Sequence, residues 1–130
     1  MPINLTPIHT RGQVLSNIQA VDTTDAAPYN VFSFPVATNQ HIGVNVEFMV
    51  RKMDYTKSTL GLVQCGFIRD GGGVMRQGTP MGDSATGFVG QKPTVDLVAD
   101  IPTQSIKVLI TGLANTNLVW FVQTIVTIYT

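Results

Sequence analysis

Charge is scarce in this sequence. Asp, Glu, Lys and Arg make up only 12% of the residues, about half the usual share of a soluble domain. Eight acids balance eight bases, so the formal net charge is zero. A nucleic-acid reader needs a basic stripe to offset phosphate charge, and the basic residues here are scattered, which excludes nucleic acid as an expected partner. A largely neutral surface also gives little electrostatic protection against self-association, which suits a chain that works inside an assembly.

Reactive side chains are equally sparse. Cys65 stands alone in an apolar run and cannot close an intrachain disulfide. His9 and His41 have no Cys, Asp or Glu at ligand spacing, whereas a zinc site takes about four ligands, so no metal is expected. The glycine cluster of Arg69 to Gly78 leads into neither the Lys and Ser/Thr of a phosphate loop nor a helix start. Asp-Gly between two strand-like runs instead predicts an exposed hairpin or long loop without nucleotide. Of the carboxylates Glu47, Asp54, Asp70, Asp83, Asp96 and Asp100, only Glu47 sits on the polar face of a clear strand; the others fall at turns, where Asp serves the backbone. No acid pair, activated Cys or serine elbow emerges. The expectation is a protein with no catalytic residues and no cofactor, not an enzyme. Nor is there a window of some eighteen apolar residues to span a membrane. Met1 to Thr10 lacks the basic and apolar regions of a signal peptide, and a soluble protein without one is expected.

What the sequence does have is apolar alternation, in 130 residues that are 44% hydrophobic. Ile42, Val44, Val46, Phe48 and Val50 alternate with Gly43, Asn45, Glu47 and Arg51, as in a half-buried strand. Ile106, Val108 and Ile110 repeat the pattern, and Leu118 to Tyr129 follow a turn at Gly112 and Asn115 to Asn117. Weaker strands are read at Gly12 to Val21, Tyr29 to Ala37, Leu60 to Arg69, Thr94 to Ala99 and Thr86 to Val89, with Pro35 placing part of the second at an edge or bulge. No sustained helical stripe occurs. The fold class predicted is all-β, an antiparallel β-sandwich with jelly-roll-like topology. Residues 1–12, with Pro2 and Pro7, read as an extended N-terminal arm, and 13–130 as one sandwich domain.

The last strand is apolar on both faces. Leu118, Trp120, Val122, Val126 and Ile128 fall on one side and Val119, Phe121, Ile125 and Tyr129 on the other. A sandwich core covers one side of a strand, so Val119, Phe121, Ile125 and Tyr129 are the candidate oligomer interface. Phe32, Phe34, Phe48, Phe67 and Trp120 lie in strand-like runs and read as core. Tyr55, Arg76, Met81 and Phe88, at turns or ends, are the candidate ligand or receptor surface.

Four stretches also carry a likeness. They are Val50-Arg51-Lys52-Met53-Asp54, Cys65-Gly66-Phe67-Ile68-Arg69-Asp70-Gly71-Gly72-Gly73, Thr94-Val95-Asp96-Leu97-Val98-Ala99, and Ile106 through Gly112 to Trp120. Taken in order, from about residue 41 to 130, they resemble a β-rich module of tailed-bacteriophage virion proteins of the capsid-decoration, head-fibre or tail-fibre type. The likeness implies a virion structural protein, a homo-oligomer with a trimer favoured, and capsid or tail subunits as partners. It implies no catalytic residues. The alternative is a receptor-binding module of a tail fibre or knob, which would meet a host-surface glycan.

Overall fold

The computed structural model describes residues 12–129, which form eight strands and no helix. The strands are β1 (Gly12–Thr23), β2 (Pro28–Pro35), β3 (Gln40–Lys52), β4 (Ser58–Asp70), β5 (Gly73–Thr86), β6 (Thr94–Asp100), β7 (Ser105–Thr111) and β8 (Leu118–Tyr129). They pair antiparallel throughout, in a five-stranded sheet of order β1-β8-β3-β4-β5 and a three-stranded sheet of order β2-β7-β6. Alternation with period two gives each sheet one apolar face, and the two faces close on one another as the sandwich that the pattern predicts. Where the chain switches sheets, β8 inserts between β1 and β3 and β7 between β2 and β6, while β3, β4 and β5 run as a plain meander. The short β3–β4 and β4–β5 turns keep each of these strands beside its predecessor.

One core joins the sheets. From the five-stranded sheet it takes Ile42, Val44, Val46, Phe48, Val50, Phe67, Leu118, Trp120, Val122, Val126 and Ile128, and from the other Val31, Leu97, Ile106, Val108 and Ile110. Trp120 is its largest fully buried side chain. Its ring packs 6.0 Å from that of Phe48, and its Nε1 donates to Thr23 Oγ1 at 2.9 Å. The Phe48 ring in turn occupies the space above Gly61, where a Cβ would overlap it. Phe32 and Phe34 pack against this core half-buried.

One end of the sandwich is tied by hydrogen bonds to the backbones of Val36 and Val74, whose side chains are buried in the core. Gln104 accepts from the Val74 amide through Oε1 at 2.8 Å and from the Val36 amide through its carbonyl at 2.9 Å, and the Arg69 guanidinium donates to the Val36 carbonyl at 2.6 Å. These bonds tie β4 and β5 to the loops of the opposite sheet. The glycine-rich turn is shorter than its sequence suggests: the Gly72 amide bonds to Asp70 Oδ1 at 2.7 Å, Gly73 takes φ of 109°, and Val74 is already buried in β5. Glycine is the residue that adopts such a φ freely. The hairpin is present, and its second arm is a strand that reaches Thr86. The expected strand at Thr86 to Val89 is not formed, because Thr86 ends β5 and Gly87 folds back to donate to the Ser58 carbonyl. The proposed arm lies outside the described residues, except for Gly12, which opens β1.

In the β6–β7 turn, Thr103 Oγ1 donates to the Asp100 carboxylate, and Lys107 Nζ lies 3.4 Å from it. Both hold the Asp100 carboxyl below its ordinary value of 3.8. A depressed carboxylate contributes stability above its unfolded pKa and loses it as pH falls through the folded one. Asp100→Asn is therefore expected to lower the melting temperature at neutral pH, with the gap to wild type closing as the pH falls below the ordinary carboxylate range. Thermal melts across that range check it, and a gap that does not change with pH would mean the charge contributes nothing.

Candidate interaction face

Residues directly opposite one another in an antiparallel pair share a face, so the registers define the outer surface of the five-stranded sheet. One row runs Ala20, Phe121, Met49, Leu60, Ala85 across β1, β8, β3, β4 and β5, apolar at every strand. Its large members stand in solvent: Phe121 is 45% exposed, Met49 50% and Leu60 62%. Val14, Ile18, Met75, Met81 and Tyr129 extend the patch on the same face, and all are exposed. Asp22, Glu47, Arg51, Asp70 and Asp83 are the charged side chains on this face among the described residues. Glu47 and Asp83 flank Leu62, and together with Leu60 and Ala85 they line a shallow open groove of about 510 Å³.

All four residues of the candidate interface lie here. Phe121 and Tyr129 are exposed, Val119 and Ile125 half-buried, and the opposite side of β8 is in the core. Tyr129 leans on the His41 ring at 5.9 Å. Sequence reading missed Met49 and Leu60, which occupy the middle of the row. The available signal was Met49 itself, an apolar residue on the otherwise polar face of β3.

The second candidate surface is not gathered in one place. Tyr55 tops the β3–β4 turn with φ of 64°, and the Arg51 guanidinium lies 4.0 Å from its ring centre. Phe88 follows β5 and packs half-buried against the core. Met81 stands on the outer face opposite Gln64. Arg76 pairs with buried Phe67 on the inward side of β5 and reaches across to β6, donating to the Leu97 carbonyl at 3.0 Å with Asp96 at 3.7 Å. That side chain fastens the two sheets together.

Asp54 is engaged locally: Thr56 donates to it from Oγ1 at 2.6 Å and from its amide at 3.1 Å, which holds its carboxyl below 3.8. Burial pushes the Cys65 thiol up, away from the thiolate that a nucleophile needs. Among the described residues no group of His, Cys, Asp and Glu is placed to hold a metal ion, and no helix is long and apolar enough to cross a membrane.

No family model and no curated protein matches the chain. Among solved structures it is similar to the tailspike protein of Acinetobacter baumannii phage AM24, with 10% identity and a TM-score of 0.42 over 97% of this chain and 27% of that one. It is also similar to Bacillus endospore appendages, a novel family of disulfide-linked pili, with 10% identity and a TM-score of 0.29 over 92% of this chain and 89% of that one. The chain thus spans about a quarter of the tailspike's length. At these scores neither likeness assigns a function.

Proposed function

We propose that the protein is a bacteriophage virion structural protein, a self-associating capsid-decoration, head-fibre or tail-associated subunit whose copies pack through the outer face of the five-stranded sheet. The observation that carries self-association is the unbroken apolar row Ala20, Phe121, Met49, Leu60, Ala85. Scattered exposed apolar residues are ordinary, whereas a contiguous patch marks an interaction site. The virion assignment rests on the sequence resemblance over residues 41–130, which also favours threefold association. Binding and assembly follow from this reading; catalysis does not.

A charge placed in such a row loses water on assembly without gaining a partner. Phe121→Asp and Met49→Asp are each expected to weaken self-association about tenfold, and Gln123→Asp, on the same face one row away, to weaken it less. Light scattering over a dilution series reads the result. A wild-type protein that stays at its monomer mass of 14.0 kDa at high micromolar concentration overturns the self-association. For the virion role, adjacent genes encoding portal, major capsid or tail proteins support it, and adjacent genes for metabolic enzymes count against it.

A further inference from the structure

The sandwich has four edge strands, and they are not alike. An open edge presents unpaired amides and carbonyls that template pairing with another chain, and proteins blunt such edges with Pro, bulges, charge or shortness. On β5, Pro80, Gly78 at φ of 83° and a register shift opposite Cys65 break the edge. Pro28, Pro35 and a shift between Asn30 and Phe32 do so on β2. The seven-residue β6 carries Asp96 and Asp100. By contrast β1 runs for twelve residues in unbroken register with β8, has no Pro, and carries no charge before Asp22. Among the described residues nothing pairs with its outer edge.

We infer that the β1 edge takes a second copy of itself, β1 against β1 antiparallel about a twofold axis, joining two five-stranded sheets into one. Self-pairing is favoured because the other edges would bring a proline, a bulge or an acid to the ladder. Charge also permits it, since Gln13 to Val21 are neutral. Centred on Ile18, the pairing sets Ile18 on Ile18 and Leu15 on Val21, cross-strand apolar contacts of the kind that stabilise sheets. It sets Asn17 opposite Gln19, a cross-strand pair of neutral amides. The two Asp22 carboxylates then lie about 26 Å apart along the ladder. This edge contact is separate from the face packing proposed above and does not depend on it.

The test uses the full chain with Cys65→Ser. A Leu15→Cys, Val21→Cys double variant is expected to form a disulfide-linked dimer in oxidising buffer, because antiparallel pairing brings each Cys opposite the other kind within bonding reach. Each single variant is expected to form at least about tenfold less, since neither residue meets its own copy. The two positions are too far apart along one strand to bond within a chain. They also point away from the outer face, so Phe121→Asp should weaken face packing and leave the cross-link intact. In the wild type, hydrogen exchange should show alternate amides of Gln13 to Val21 losing protection on dilution to monomer. A double variant that cross-links no better than the singles overturns the inference. So does a monomer in which those amides stay protected, which would mean that the chain's own residues 1–11 cover the edge.

Discussion

Replacing Trp120 with Ala is expected to destabilise the fold by about 3–5 kcal/mol, the range for emptying a large buried aromatic site. Trp120 is fully buried near the start of β8, which lies between β1 and β3, and its ring meets Phe48 from the neighbouring strand. Removing it leaves a cavity that a sheet paired on both sides cannot collapse to fill. It also leaves the Thr23 hydroxyl without the indole N–H that now donates to it, a further penalty of about 1 kcal/mol or more. Domains of this size are stable by only about 5–15 kcal/mol, so a large part of the total is at stake. Trp120→Phe should lose less, because it keeps an aromatic against Phe48. Urea denaturation with a fixed m-value measures both. A loss below about 1 kcal/mol for the Ala variant would mean that the site is not the packing centre described.

A second large effect is expected at a residue with no side chain. Gly61→Val should cost about 3 kcal/mol, the upper end of what overpacking imposes. Gly61 sits directly opposite Phe48 on the inner face, and a Cβ there would run into the ring of Phe48. That ring packs against Trp120, which stands in the way of its turning aside. The expected signature is non-additivity: in a Phe48→Ala background, Gly61→Val should be much less harmful, since the ring it strikes is gone. Additive losses in the double-mutant cycle would show that the glycine is needed for a reason other than space. Ordinary β propensity points the other way, since Val suits a strand better than Gly.

Phe121 and Trp120 are adjacent in sequence and differ sharply in consequence: the first is expected to change assembly with little change in folding stability, and the second the reverse. Their placement on opposite sides of β8, one buried and one exposed, was legible from period-two alternation alone. So were the buried rows of β3 and β7, where apolar residues recur at every second position and pairing only has to preserve that pattern. The candidate interface residues of β8 were legible for the same reason, as apolar residues on the side that a sandwich core does not reach.

β5 was not legible. Gly73 to Thr86 is mostly polar and exposed, and includes Gly78 and Pro80; it is a strand because β4 offers it a ladder, a fact held in another segment of the chain. Likewise Met49 and Leu60 are single irregularities until the β3–β4 and β3–β8 registers align them with Phe121. Arg76 looked like a loop residue free to meet a ligand, and only the packing of β5 over β6 directs it to the Leu97 carbonyl. Alternation, composition and turn chemistry are properties of neighbouring residues, so the sequence by itself determined the all-β class and the strands with a buried face. Which strand lies beside which, and so which apolar residues merge into one surface and which edges stay open, is set by contacts between distant segments, and only the tertiary structure decided it.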